Sequence, residues 1–322
     1  HFPGRGVQAM RIPRTLLLAA VGLAAVTSTA VAGGIQFQNA PDDVLATYDF
    51  AADQVIARSL SVTKGSGGNF ETGYVVGFTA GRSGDPENRI AASAAGTTLA
   101  YRIVDSEAAG NDLKTIGDDP GEDEGLSGAV GRGETATETF DVLLPGGDLP
   151  PPGNYTDNVT VELFDTLLGS IFGGDPDLIE TSPLDIEIVV PTLVDLSLVP
   201  VGGTFDPGSN AYLLDLWLLE DGTIGVLDML VRANVAYSVT ASSANDGALA
   251  HIDPGDGSRI GYTLRVDGSP ADLTAGPAVL ATGAGPTPTT GARYQLEVAV
   301  GDPGGVTAGT YEDTLQVTVT AQ

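Results

Sequence analysis

Side chains able to carry out covalent chemistry are scarce in this sequence. It holds two histidines and no cysteine. One of them, His1, stands ahead of the first methionine, Met10, which leaves His251 as the one imidazole in the body of the chain. His251 falls between Ala250 and Pro254 in what reads as a loop, where a solvated side chain is expected rather than a general base. With no thiol and a single imidazole, neither a zinc site nor a Cys/His nucleophile can be assembled. Serines are common, but no G-x-S-x-G elbow sits between a strand and a helix. Carboxylates abound, yet nothing in their spacing singles out a pair of the kind that cleaves glycosides. The expectation is a protein that is not an enzyme, with no catalytic residue, no cofactor and no metal centre.

Acidic residues could also serve as ligands. The run Gly117-Asp118-Asp119-Pro120-Gly121-Glu122-Asp123-Glu124-Gly125 offers carboxylate oxygens suited to calcium. It lacks the alternating ligand spacing of an EF-hand loop and contains a proline, so a solvated acidic loop is the reading preferred. Net charge is −28, and −31 once the three arginines of residues 1–32 are set aside. A phosphate backbone would be repelled by such a chain, which excludes nucleic acid as a partner. High negative charge also suits solubility outside the cell.

The most informative constellation is G-x-Y-x-D, which occurs twice. Gly153-Asn154-Tyr155-Thr156-Asp157-Asn158-Val159-Thr160-Val161 runs beside Gly309-Thr310-Tyr311-Glu312-Asp313-Thr314-Leu315-Gln316-Val317 at an offset of 156 residues. Glycine turns the chain into a strand, and a tyrosine at the strand's start can bury its ring while its hydroxyl bonds backbone across the corner. That is the tyrosine corner of immunoglobulin-like sandwiches. Asp157 and Asp313, two residues on, are placed to accept from backbone amides of the turn. Tyr155, Asp157, Tyr311 and Asp313 are therefore read as structural rather than chemical.

Around these corners lie many runs of four to eight residues rich in Val, Ile, Thr, Tyr and Leu, separated by Gly, Pro, Asp and Asn, as short-stranded sandwiches require. Two further segments repeat: Gly73–Val76 beside Ala236–Val239 at an offset of 163, and Leu99–Asp105 beside Ile260–Asp267 at 161. Two copies of one β-domain explain the pattern. The expected fold is all-β, two tandem immunoglobulin-like sandwiches at 33–190 and 191–322. Ahead of them, Met10, Arg11 and Arg14, the apolar stretch Leu16–Val26 and the Ala30-Val31-Ala32 site read as a secretory signal peptide spanning 10–32.

The copies differ at one place. In the first, Leu184, Ile186, Ile188 and Val190 alternate with acidic or small residues as a half-buried strand should, until Pro191 breaks the ladder. The second copy has no equivalent after Leu315-Gln316-Val317-Thr318-Val319-Thr320. Either it closes with fewer strands, or it presents an unfilled edge and takes a strand from elsewhere, as in donor-strand complementation. The second reading is preferred.

The segment Ala308–Thr320 resembles the terminal signature of the spore coat protein U domain, a family that includes subunits of archaic chaperone–usher pili. The likeness extends over the second copy and reaches the first through Gly153–Val161. A signal peptide followed by two such domains resembles the tip adhesin of these pili. The resemblance implies an N-terminal adhesin domain and a C-terminal pilin domain lacking its last strand. It also implies three partners: a periplasmic chaperone, an outer-membrane usher and a neighbouring pilin subunit that supplies the donor strand. The route it implies is export to the periplasm, then display on a cell-surface pilus that mediates attachment and biofilm formation. Many members carry a disulfide, which this chain cannot. The alternative is a free-standing secreted β-sandwich, a glycan-binding or coat protein, whose second domain would be self-complete.

If the first domain makes the contact, its loops carry the surface. Leu167, Leu168, Ile171 and Phe172 form an unusually apolar connection, read either as an exposed finger or as a satellite core tucked beneath the loop. The proline-rich stretch Leu143–Pro152 is a second candidate, as a stiff projecting loop or an ordinary connection. The surface or receptor itself is not legible in the sequence.

Overall fold

The computed structural model describes residues 34–67, 70–107, 110–115, 125–166 and 176–322. The signal-peptide reading and most of the acidic run fall outside them. Apart from one short 3-10 turn, Gly81–Ser83, the regular elements described are all strands. They form two groups with no pairing between them.

The first group comprises β1 (Ile35–Asn39), β2 (Val44–Thr47), β3 (Gln54–Lys64), β4 (Thr72–Phe78), β5 (Arg89–Ser93), β6 (Thr98–Asp105), β7 (Leu126–Val130), β8 (Thr135–Leu144), β9 (Gly153–Asp165) and β10 (Asp177–Val190). One layer runs β1-β3-β8-β6; the other has β7-β4-β9-β10-β2, and β5 joins the layers by pairing both β6 and β9. Period-2 alternation drives the assembly. In β9, Tyr155, Val159, Val161 and Leu163 face inward and are fully buried, while Asn154, Thr156 and Asn158 face water. Across the core, Phe78 and Phe140 meet with ring centroids 4.9 Å apart. Side chains buried to this degree stabilise the fold by about 1.5–3 kcal/mol each before conformational entropy is counted.

The second group comprises β11 (Val194–Val199), β12 (Ile224–Ala233), β13 (Tyr237–Ser243), β14 (Ala248–His251), β15 (Arg259–Val266), β16 (Ser269–Ala271), β17 (Ala278–Gly283), β18 (Ala292–Val300), β19 (Tyr311–Glu312) and β20 (Leu315–Ala321). One sheet runs β11-β12-β18-β15-β14-β19 and the other β17-β13-β20. Most of these pairings have twins in the first group. β1 on β3 matches β11 on β12, and β8 on β3 and β6 matches β18 on β12 and β15. The trio β7-β4-β9 matches β17-β13-β20. The registers agree too: Tyr74 pairs Asp165 as Tyr237 pairs Ala321, and Val76 pairs Leu163 as Val239 pairs Val319. The duplication seen in the sequence is thus a duplication of ladders.

β10 begins at Asp177, earlier than the alternation from Leu184 predicts, and Pro183 lies within it. The ladder tolerates this proline for a local reason. Pro183 stands opposite Thr160, whose backbone N–H and C=O both bond Thr79 on the other side. This is a non-hydrogen-bonded pair, so the nitrogen of Pro183 points to the outer edge, where β2 covers only Ile186–Val189.

Between the groups, the buried carboxamide of Asn234 donates to Pro150 O at 3.0 Å and to Pro191 O at 2.9 Å, and its Oδ1 accepts from Leu193 N at 2.8 Å. The proline-rich stretch Leu143–Pro152, open to either reading in the sequence, turns toward the second unit. Leu149 is buried and Pro150 is bonded there.

Candidate strand-acceptor edge

The G-x-Y-x-D corners position the strands on which the two units differ. Tyr155 donates to Pro151 O at 2.8 Å, and Tyr311 donates to Thr307 O, four residues back in each case. Asp157 Oδ1 accepts from Arg82 N and Asn158 N, both at 2.9 Å, while its Oδ2 accepts the Tyr101 hydroxyl at 2.6 Å. The second unit repeats this. Asp313 Oδ1 accepts from Asn245 N at 3.0 Å and Thr314 N at 2.8 Å, and its Oδ2 from Tyr262 at 2.5 Å and Ser243 Oγ at 2.6 Å. Burial pushes the Tyr101 and Tyr262 phenols well above their ordinary range, and the adjoining carboxylates add to the shift.

His251 differs from the solvated loop residue expected. It closes β14 opposite Tyr311, packs edge-on to that ring at 5.1 Å, and lies over Gly309. Its Nδ1 accepts from Asp253 N at 3.1 Å. A side chain at Gly309 would strike the imidazole, which gives the motif's glycine a packing reason in this copy.

Past the corners the units diverge. β9 is paired on both sides, by β4 and by β10 along nearly its whole length. β20 pairs β13 on one side, and no strand among the described residues pairs its other edge. Burial records the difference. Val159, Val161 and Leu163 are fully buried, whereas their counterparts Leu315, Val317 and Val319 are only half-buried. In the first unit the place beside them is filled by Leu184, Ile186 and Ile188, each at most 1 % exposed. What β20 offers is an uncharged edge, Leu315-Gln316-Val317-Thr318-Val319-Thr320-Ala321, with none of the Lys, Pro or bulge devices that protect such edges.

The segment between β11 and β12 borders the same space. Leu214 and Leu216 pack into the apolar clusters that also hold Leu315 and Val317, while Leu213, Trp217 and Leu218 stand exposed.

Leu167, Leu168, Ile171 and Phe172 lie outside the described residues. The flanking Thr166 and Pro176 are at the end of the β9–β10 hairpin remote from Pro191, about 45 Å along β10 at the usual strand rise. Thr166 N bonds Gly73 O at that end, and Phe70, Leu178 and Ile179 are exposed on the adjoining segments. Lys64, buried at the same end, donates from Nζ to Phe70 O and Thr72 Oγ1. Sequence reasoning missed Phe70; a lone aromatic in a Gly-rich stretch gives no periodic signal.

Among the described residues, no group of three or more acidic or imidazole side chains is gathered as a metal would need, and no helix is long and apolar enough to cross a membrane. A cleft of about 470 Å³ lies between Tyr48, Phe50 and Gln54 of the first unit and Leu193, Asp195 and Arg232 of the second.

No family model matches the chain, and no curated protein matches it. Solved structures to which the chain is similar include the chaperone–tip adhesion subunit complex CsuC–CsuE from the archaic chaperone–usher Csu pili of Acinetobacter baumannii. The identity there is 14%, over 87% of this chain and 99% of that one, with a TM-score of 0.42. The CupB6 tip adhesin of Pseudomonas aeruginosa is 13% identical over 90% of this chain and 96% of that one, with a TM-score of 0.37. A mutant of the CFA/I adhesin CfaE of enterotoxigenic E. coli is 14% identical over 87% and 92%, with a TM-score of 0.32.

Proposed function

We propose that this chain is a secreted, spore coat protein U-like subunit of a chaperone–usher pilus, acting as an adhesin. Its second unit, residues 191–322, accepts a donor strand, and its first unit, residues 33–190, makes the contact with a surface. The observation that carries the reading is the unpaired outer edge of β20, set against the β9–β10 pairing at the same place in the first unit.

The twin ladder supplies the register. In the first unit Leu184, Ile186 and Ile188 stand opposite Val159, Asp157 and Tyr155. The incoming strand therefore runs antiparallel to β20 and places apolar side chains opposite Leu315, Asp313 and Tyr311. A neighbouring pilin subunit supplies it in the fibre, and a periplasmic chaperone occupies the edge beforehand. An outer-membrane usher makes the exchange as the subunit moves to the cell surface, where attachment seeds biofilm. β1 is already paired with β3 inside the first unit, which suits a subunit at the fibre's end. Phe70, Leu178, Ile179 and the Leu167–Phe172 connection form the contacting end.

The test uses the full chain and a synthetic peptide copying Asp177–Val190, the strand that fills the equivalent place in the first unit. Melting is followed with and without peptide. The second unit is expected to melt several degrees higher at saturating peptide, and a control with Ser at Leu184, Ile186 and Ile188 to do nothing. A free-standing binding protein with a complete second unit would melt identically in every case, and that result would sink the proposal.

A further inference from the structure

Of the described residues lining the cleft between the two units, Arg232 alone is basic. It leaves β12 between two fully buried neighbours, Val231 and Ala233, and stands opposite Asp195 of β11. That pairing invites an ion pair, but none forms. Asp195 Oδ1 accepts from Leu196 N at 2.8 Å, and the Arg232 side chain makes no ion pair or hydrogen bond to the described residues, its Nε being buried without a partner. The guanidinium is held instead over the Phe205 ring, 5.1 Å from its centroid. Phe205 is itself fixed, because the turn beyond it is laced to β11. Asp206 N donates to Ser197 Oγ at 3.2 Å, Ser209 Oγ to Leu198 O at 2.7 Å, and Leu198 N to Ser209 O at 2.9 Å.

The facing wall is just as settled. Tyr48 and Phe50 meet edge to face with centroids 5.3 Å apart, Tyr48 buried and Phe50 half-buried. Gln54 closes the turn they stand on, donating to Thr47 O at 3.0 Å and accepting from Asp49 N at 3.1 Å. Asp49 Oδ1 accepts from Ala51 N at 2.8 Å. Both carboxylates of the cleft, Asp49 and Asp195, are thus engaged by backbone amides, and neither reaches the guanidinium. A buried donor left unpaired costs stability and calls for a reason. The apolar lining comes from Phe50, Leu193 and Pro207, beside the polar Thr47 and the two aspartates.

We propose that this cleft binds one uronic acid, free or at the end of a glycan. Its carboxylate takes the two-pronged edge of Arg232, and its ring lies on Phe50, Leu193 and Pro207. A volume of about 470 Å³ suits a ligand of a single ring. A planar guanidinium held in place is the donor best matched to a carboxylate. One cation between Asp49 and Asp195 admits one negative charge, so a phosphate dianion would be repelled. The second oxygen of each aspartate can accept from a sugar hydroxyl. Apolar and polar linings match the two characters of a pyranose, C–H groups on a face and hydroxyls around the edge. The site shares no residue with β20 and does not depend on the strand-acceptor reading.

Calorimetric titration of the full chain with D-glucuronate, D-glucose and benzoate tests this. Glucuronate is expected to saturate one site. Glucose, which lacks the carboxylate, and benzoate, which lacks the hydroxyls, should each bind more weakly by on the order of tenfold or more. Equal binding of benzoate would overturn the sugar assignment, and no saturation by glucuronate up to about 50 mM would overturn the site. Arg232→Met should abolish binding while leaving the melting temperature unchanged or higher, because an unpaired buried nitrogen goes with the side chain. A fall of several degrees would make the guanidinium a structural group and sink the proposal. Arg232→Lys keeps the charge without the fork and should weaken binding by about tenfold; undiminished affinity would rule out the two-pronged contact. Arg265→Met, which breaks the exposed pair with Glu297, should leave binding as it is. An oligosaccharide ending in glucuronate that binds as tightly as the free acid makes a glycan end the source, and one that is excluded makes it the free acid.

Discussion

The hydroxyl of Tyr262 donates to Asp313 Oδ2 at 2.5 Å, and in the other unit Tyr101 makes the same bond to Asp157 Oδ2 at 2.6 Å. Each pair ties the strand after the corner to the facing sheet through a carboxylate that also gathers backbone amides of a neighbouring turn. The aspartate of G-x-Y-x-D is thus a hub, and it sits where β9 and β20 enter the core.

Removing a hub leaves several donors unsatisfied at once. Asp157→Ala strands the Tyr101 hydroxyl and the amides of Arg82 and Asn158, in a site where Asp157 is 5 % exposed. At about 1–3 kcal/mol for a buried unsatisfied group, a loss of about 2–4 kcal/mol from the first unit is expected. Tyr101→Phe removes one bond and should cost about 1–2 kcal/mol. Urea unfolding followed by circular dichroism measures both, and a loss below about 0.5 kcal/mol for D157A would show that the hub does not support the fold.

Alkaline titration should expose the same buried phenols. Burial first, then the neighbouring carboxylate, raises the Tyr74, Tyr101 and Tyr262 phenols from a reference of 10.0. Because the folded state holds these protons more tightly, their contribution is fully present below about pH 10 and is lost as pH climbs toward the raised values. Tyrosinate absorbance at 295 nm from these three rings should therefore appear only with unfolding. Ionisation of Tyr74, Tyr101 and Tyr262 near pH 10 in a folded chain would contradict the arrangement.

Asn234→Ala severs the bonds to Pro150, Pro191 and Leu193 together. Small-angle scattering should then report a broader distribution of inter-unit distances, with the second unit destabilised by about 1–3 kcal/mol. An unchanged scattering profile would mean that the linker geometry alone sets the angle.

Replacing Phe70 with Ser at the far end of the first unit, or Leu168 and Phe172 with Ser in the connection that follows Thr166, should lower attachment to an apolar surface without lowering secretion. Phe70 is 79 % exposed, so its replacement should change stability by no more than about 0.5 kcal/mol. Full attachment by all of these variants would remove that end as the contact.

What could be read in the sequence follows from how cleanly one face of a strand is buried. β9, β15 and β18 alternate, so their existence and their repetition were legible. β12 was not, because Asp228, Met229, Leu230 and Val231 are buried in succession, Asp228 being paired with Arg293 and accepting Gly202 N; a strand covered on both faces loses its period. β2 and β3 fall in a stretch with little contrast between neighbours. Nor could the unpaired state of Leu213–Leu218 be seen in advance, since an apolar run carries no mark of whether another strand lies beside it. The true start of β10 was hidden by Pro183, whose tolerance depends on which way Thr160 points.

β10 has one more property. It is bonded to β9 from Asp177 to Val190 and passes straight into Pro191. A pull applied through the second unit against an anchored far end lies along that ladder, not across it. Every rung then bears load together, so the hairpin resists in shear instead of peeling open one bond at a time. In the function proposed above, with a surface held at one end and a strand at the other, the final strand of the first unit serves as a tendon.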